Sequence, residues 1–337
     1  MKTTRPPKEP RPVNYPVPRA QTTAPDGLLV IDKPTGITSH DVVSRARRLA
    51  NTKKVGHGGT LDPDATGILV VGIGRATKLM QYILGSEKSY ISTFRLGQGS
   101  STDDAAGELT DNPGSPGYTE AEIDQAMATF LGDIEQVPTS VSALKIDGQR
   151  AYDLVREGKE VKLAARPIHI AHYARTSPVL NLEAPFQPDS PESLVPVTEF
   201  DIEVTCSSGT YVRALARDLG QKLGTAGHLR TLRRTAIGDF NLEKAWTLPR
   251  LAEIIEAQNQ DPAAPGLPVI PIDDACKACF PVVEVGRGAQ ALRYGQFIPA
   301  VEPAGICAAA DEDGHIVALI ENRGKQARPV LVLDPIN

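Results

Sequence analysis

The sequence predicts an α+β protein with a large mixed domain and a small, separate β-rich tail. Three observations lead there. The 337 residues exceed one ordinary domain, which favours two. Period-two strands such as Lys88–Leu96 are interspersed with capped helices, without the strict strand–helix alternation of a doubly wound fold. A Gln/Pro/Ala-rich stretch at 258–268 then divides the chain from a run of short strands with tight turns. The expected organisation is a disordered, basic, proline-rich arm over 1–25, a main domain over 26–257 with a surface-loop insertion near 177–197, a linker over 258–268 and a β-rich domain over 269–337.

Composition narrows the functional classes. A hydrophobic share of 41% with 23% charged residues describes a soluble globular protein with enough apolar material for a core. No apolar run is long enough to span a bilayer, and the first residues lack the apolar core of a signal peptide, so a cytoplasmic protein without a membrane partner is expected. Four cysteines do not form a disulfide framework. Cys276 and Cys279 make one CxxC with no second pair, and no metal is expected. The net charge of −5 hides a basic segment: Thr205 to Thr235 holds six Lys/Arg against the single acid Asp218. The last stretch, Val269 to Asn337, carries six basic and nine acidic residues, so a polyanion grip belongs to the main domain.

Taken in order, Leu28–Ile31 reads as a strand ending in Asp32-Lys33-Pro34, and a helix follows from Ser39, the expected N-cap. His57 to Leu79, HGGTLDPDATGILVVGIGRATKL, sets Asp62 in a glycine-bounded turn before an apolar strand. Glycines allow close backbone approach to a ligand and proline fixes the turn. Lys78–Leu84 reads as a helix stopped by Gly85. In Lys88–Leu96, Tyr90, Ser92, Phe94 and Leu96 share one face. Thr119 and Glu122 form a capping box. Residues 137–158 suggest a loop and a short helix, and 160–163 and 168–173 extended chain. Phe200, Ile202 and Val204 alternate into Cys206, a basic amphipathic helix starts at Tyr211, and His228–Ile237 is extended.

Single motifs here have bland readings: Tyr90 as a core tyrosine, Arg213 as a solvated helix residue. Together, GLLVIDKPTGITS (27–39), HGGTLDPDATGILVVGIGRATKL (57–79), EKSYISTFRLGQ (87–98), VSALKIDGQRAYDLVREG (141–158) and CSSGTYVRALARDLGQKLGTAGHLRTLRR (206–234) resemble, in order and approximate spacing, the TruB family of tRNA pseudouridine synthases. The resemblance implies a mixed, largely antiparallel central sheet with flanking helices, and a PUA-like C-terminal module. It implies conversion of uridine to pseudouridine in the T-arm loop of tRNA (position 55), without metal or organic cofactor, by a protein expected to be monomeric.

Residue by residue, the resemblance makes Asp62 the catalytic acid, Tyr90 the ring that stacks on the target base, and Arg213 the partner of Asp62. His57 contacts the substrate loop, and Tyr211 and Leu232 line the base site. Lys33 and Lys145 are further candidates for organising the site or touching RNA. The chemistry suits these types. Breaking N1–C1′ and joining C5 to C1′ involves no net redox change, and a carboxylate can act as nucleophile or assist base loss. The base must leave its stack, at a cost of a few kcal/mol, and a tyrosine ring offsets about 1–3 kcal/mol of that.

Two departures carry alternatives. Asp64 stands where the family usually has a bulky apolar residue, and Asp62-Pro63-Asp64-Ala65-Thr66 fits the DxDxT nucleophile motif of Mg²⁺-dependent phosphotransferases. That motif follows a hydrophobic strand within repeated βα units, and neither precedes it here. In the loop Ser100-Ser101-Thr102-Asp103-Asp104, serines stand where Thr and Asp are common, while Thr102, Asp104 and Gly107 match. A non-catalytic RNA-binding or RNA-chaperone protein is the other alternative.

Overall fold

The computed structural model describes residues 15–83, 85–139, 163–186 and 193–336, together with the backbone of two short strands at 145–146 and 149–150. In chain order the strands are β1 (Gly27–Lys33), β2 (Val55–Gly58), β3 (Thr66–Ile73), β4 (Lys88–Leu96), β5 (Gly132–Gln136), β6 (Lys145–Ile146), β7 (Gln149–Arg150), β8 (Arg166–Arg175), β9 (Leu180–Pro185), β10 (Leu194–Cys206) and β11 (Gly227–Ile237). There follow β12 (Phe240–Asn241), β13 (Trp246–Thr247), β14 (Ile270–Pro271), β15 (Val282–Glu284), β16 (Ile298–Pro299), β17 (Ile306–Ala310), β18 (Ile316–Arg323) and β19 (Gln326–Val332). Chain contacts divide into two compact units: one of residues 1–63, 68–84 and 238–337, the other of residues 64–67 and 85–237.

In the second unit the sheet order is β11-β4-β10-β8-β5, antiparallel throughout, with β9 antiparallel to β10 and the start of β3 parallel to β11. This is the mixed, largely antiparallel sheet the resemblance implies. Burial on β4 alternates as its sequence does: Tyr90, Ser92, Phe94 and Leu96 are buried, while Ile91 is exposed. The buried face packs against helix Val212–Lys222 through Val212, Leu215 and Leu219, and against Ile123 and Met127 of helix Glu120–Ala128. The latter helix begins with the predicted Thr119–Glu122 capping box.

In the first unit β1 pairs β13 in parallel and β14 antiparallel, while β2 pairs β3 antiparallel. Leu29, Ile31, Leu69 and Val71 pack against helices Ser39–Leu49 and Leu248–Gln260. The C-terminal part is a five-stranded sheet, order β15-β17-β18-β19-β16, consistent with a PUA-like module. It also holds two short helices, Ile272–Cys279 and Gly288–Arg293, which the strand pattern did not signal.

Four local expectations are corrected. The helix beginning at Ser39 is capped by Thr38, not Ser39. The Thr38 hydroxyl accepts from the Asp41 N–H, and the Asp41 carboxylate accepts from the Thr38 N–H, both at 3.0 Å. Ser39 is buried and its hydroxyl serves another loop.

The arm expected to be disordered over 1–25 is packed from Tyr15 onward, with residues 1–14 outside the described part. Arg45 and Arg48 donate to the carbonyls of Tyr15 (2.8 Å) and Val17 (3.2 Å), and Val17 and Ala20 are buried. An extended proline-rich chain has free carbonyls, and these arginines satisfy them.

The insertion near 177–197 is a β9–β10 pair outside residues 187–192, not a surface loop. Leu180, Leu182 and Leu194 are exposed, so the segment shows no clean apolar period although it pairs as strands. Finally, the helix expected over Lys78–Leu84 is divided into a 3₁₀ turn, Gly74–Lys78, and one turn of α-helix, Met80–Ile83. Most of the loop and short helix expected over 137–158, and of the extended chain expected at 160–163, lies outside the described residues.

Candidate active site

The sequence-predicted residues fall in both units. In the first unit the turn bearing Asp62 is fixed through its backbone. The Ser39 hydroxyl donates to the Leu61 carbonyl at 3.0 Å and accepts the Leu61 N–H at 2.9 Å. The Pro63 carbonyl accepts from the ammonium of Lys33 at 2.9 Å and from the Gly36 N–H at 3.0 Å. Lys33 is fully buried and donates also to the Pro34 carbonyl at 3.0 Å. A buried ammonium must meet acceptors, and here it meets two backbone carbonyls, one of them in the turn. Lys33 of the Lys-Pro motif thereby ties the end of β1 to the turn. His57, half-buried, lies on β2, paired with Val71 of β3.

In the second unit, β4 and β11 set the register. Tyr90 lies opposite Arg234 and Ser92 opposite Leu232, so Tyr90, Leu232 and Arg234 share a face. Tyr90 is 7% exposed, and its hydroxyl is hydrogen-bonded to the Arg234 guanidinium. Arg234 is 1% exposed; burial pulls it below the ordinary arginine value, and the bond to Tyr90 works against that pull. Its backbone is pinned on the other side by β3, where Gly67 sits at φ +98° and a Cβ would come 2.1 Å from the Arg234 carbonyl oxygen. Only glycine fits there, which explains the glycine closing the LDPDATG motif.

Arg213, in the first turn of helix Val212–Lys222, is also buried. Its guanidinium donates to the Thr102 carbonyl at 3.0 Å and to the Asp104 carboxylate at 3.2 Å. Thr102 and Asp104, two of the loop positions that match the family, therefore form a seat for Arg213. Asp103 next to them has positive φ (60°) and takes the Arg217 guanidinium at 2.9 Å; burial raises its carboxyl and Arg217 counteracts. The backbone of Tyr211 is clamped by the buried Gln136 side chain, which accepts its N–H at 2.9 Å and donates to its carbonyl at 3.1 Å.

Gln136 and Arg234 are site-building residues that the sequence reading did not single out, and Asp104 it named only as a loop position matching the family. Arg234 stood inside a quoted motif; nothing in the sequence marked Gln136. The basic segment also changes meaning. Arg213 and Arg234 point inward and Arg217 is paired with Asp103 and Asp218, so half of its six cations are not phosphate grips. Lys222 and Arg230 remain exposed. The side chain of Lys145 lies outside the described residues.

The chain is similar to known proteins along most of its length. Residues 47–212 match the TruB family pseudouridylate synthase N-terminal domain, 213–276 the tRNA pseudouridylate synthase B C-terminal domain, and 280–334 the tRNA pseudouridine synthase II C-terminal domain. The tRNA pseudouridine synthase B of Mycobacteroides abscessus is 46% identical over 312 residues, covering 92% of this chain and 97% of that one. That of Mycobacterium tuberculosis is 45% identical over 310 residues, covering 92% and 96%. Among solved structures, a Cbf5–Nop10–Gar1 complex superposes with a TM-score of 0.67 at 24% identity, covering 92% of this chain and 85% of the other, and so shares the fold.

Proposed function

The chain belongs to the TruB family of tRNA pseudouridine synthases, and from that premise we propose that its target is the uridine at position 55, in the T-arm loop. The reaction is isomerisation of uridine to pseudouridine in tRNA, and the DxDxT phosphotransferase reading is set aside.

In the mechanism we propose, the uracil is flipped from its stack and laid against Tyr90, with Tyr211 and Leu232 bounding it and His57 contacting the substrate loop. Asp62 acts at the glycosidic bond, by adding to C1′ or by assisting departure of the base. The base then rotates, C5 joins C1′, and C5 loses its proton. The role the resemblance gives Arg213, keeping the Asp62 carboxylate ionised and oriented, rests on the motif correspondence. No metal or organic cofactor takes part. The setting is a cytoplasmic monomer; among the described residues no helix is long and apolar enough to cross a membrane. Residues 26–257 carry catalysis and 269–337 form the PUA-like module.

The observation that carries this reading is the match along nearly the whole chain to relatives named for the activity, with every expected site residue of the described part present in this sequence. The test is incubation with a tRNA transcript tritiated at uridine C5, in EDTA. Tritium release, with pseudouridine sequenced at position 55, is expected; no release from folded protein would refute it. Strict Mg²⁺ dependence with phosphatase activity would reinstate the rival.

A further inference from the structure

A polyanionic substrate is gripped through cations that are free to meet phosphates. Of the six between Thr205 and Thr235, Arg213 and Arg234 are buried, Arg217 is paired with Asp103, and Arg230 stands 3.6 Å from the Glu199 carboxylate. A second basic stretch lies at the start of the chain. Residues 1–14, MKTTRPPKEPRPVN, carry Lys2, Arg5, Lys8 and Arg11 against the single acid Glu9, a local net of +3 in a chain of −5.

The chain that follows this stretch is laid antiparallel along helix Ser39–Leu49. The Ala24 N–H donates to the Ala50 carbonyl and the Ala20 N–H to the Arg48 carbonyl, both at 3.1 Å. Further back, the Val17 carbonyl accepts from Arg48 and the Tyr15 carbonyl from Arg45. Asn259 of helix Leu248–Gln260 fixes the middle, accepting the Gln21 N–H at 3.0 Å and donating to the Arg19 carbonyl at 2.9 Å. The Arg45 guanidinium that holds Tyr15 also donates to the Asp41 carbonyl at 3.0 Å, so Tyr15 lies against the first turn of the helix. That is the turn whose Ser39 hydroxyl holds Leu61, next to Asp62. Every contact in this series lies within the first unit. Burial of Val17 and Ala20 accounts for the strap itself, but not for four cations placed ahead of the end that meets the Asp62 side.

Resting on the function proposed above, we propose that residues 1–14 are a tRNA-binding arm: Lys2, Arg5, Lys8 and Arg11 pair with phosphates of the T-arm that presents its loop to Asp62. A stretch of this length spans at most about 50 Å, which covers the T-arm but not the far end of the tRNA. Proline fixes its own φ, so a stretch holding Pro6, Pro7, Pro10 and Pro12 has less conformational freedom to lose on binding. Phosphate contacts carry no sequence information; the arm adds affinity and leaves the choice of uridine to the residues around Tyr90.

The test uses the full chain as wild type, as the quadruple variant Lys2→Gln/Arg5→Gln/Lys8→Gln/Arg11→Gln, and as Glu9→Lys. Each is titrated with unmodified tRNA transcript and with the isolated T-arm stem–loop, between about 50 and 200 mM salt. On both RNAs the quadruple variant should lose roughly 10- to 100-fold in affinity at the low-salt end and less at the high end, its salt slope being shallower by about 2–3. Glu9→Lys should bind about 2–3-fold tighter at low salt. Thermal midpoints should match wild type. An unchanged salt slope, a loss seen on whole tRNA but not on the T-arm stem–loop, or a loss of binding to anionic phospholipid vesicles with tRNA affinity intact would overturn the proposal. If the midpoint of the quadruple variant falls, Glu9→Lys decides: tighter binding supports the arm, and equal or weaker binding overturns it. A wild type that binds tRNA but releases no tritium would break the functional reading while the salt slopes still judge the arm, so the two failures are distinguishable.

Discussion

The turn that carries Asp62 and the strand–helix frame that carries Tyr90 and Arg213 are built on opposite principles. Within its unit the turn is tied by its backbone: Ser39 holds Leu61, and Lys33 and Gly36 hold Pro63. The frame is tied by functional side chains themselves, Arg213 to Asp104 and Arg234 to Tyr90. A backbone-held turn can exchange its acid without losing its shape. A frame held by side chains cannot exchange them without strain, because removing one partner leaves a buried charge uncompensated. Chemistry and stability should therefore separate in the first region and move together in the second.

The largest expected effect tests the first half of that contrast. Asp62→Asn should lower the single-turnover rate by about 10³-fold or more. Its thermal midpoint should stay within a degree or two of wild type, roughly the range of a neutral surface change. Melting curves beside tritium release check both, and a large drop in midpoint would show that the carboxylate itself holds the turn.

Asp104→Asn is the counterpart in the frame. It keeps the shape but removes the charge that seats Arg213. A loss of roughly 1–3 kcal/mol in stability is expected together with about 10-fold in rate, read from urea melts and single turnover. If the rate falls with stability untouched, the side-chain frame is less cooperative than described. Gln136→Ala should come next. It frees the Tyr211 backbone, cost about 1–3 kcal/mol, and should slow turnover only a few-fold, since neither chemistry nor charge is removed.

A smaller effect concerns pH. His228 is buried and its Nδ1 faces the Gln98 carbonyl at 2.8 Å; burial pulls its pKa below the ordinary 6.5. The unfolded chain then binds more protons than the folded one as pH falls below 6.5, so stability drops with acidification through that window and is complete above it. Urea melts from pH 7.5 to 5.5 should show this slope, and His228→Asn should flatten it.

Much of the frame was readable in the sequence for one reason: burial and period coincide. Lys88–Leu96 alternates because one face is core, and Thr119–Glu122 caps because that box is a local pattern. Where burial and period part company, the reading failed. The β9–β10 pair exposes Leu180, Leu182 and Leu194, so it looked aperiodic. Tyr15–Pro25 looked disordered because its partners, Arg45 and Arg48, lie on a helix some thirty residues away. The site shows the same limit. Motifs named Asp62, Tyr90 and Arg213, but composition does not say whether a basic residue faces water or a buried oxygen, and so Arg234 and Lys33 were undervalued.

The smallest expected effect bears on the two acids of the turn. Asp64 is exposed and follows the held backbone of Leu61 to Pro63, so neither the clamp from Lys33, Gly36 and Ser39 nor the proposed chemistry requires it. Asp64→Asn is therefore expected to change the rate by about two-fold or less and stability by roughly 0.5 kcal/mol or less. A loss as deep as that of Asp62→Asn would mean that the turn works through both carboxylates. The division of labour drawn here, a backbone that holds and a single acid that reacts, would then be wrong at its most local point.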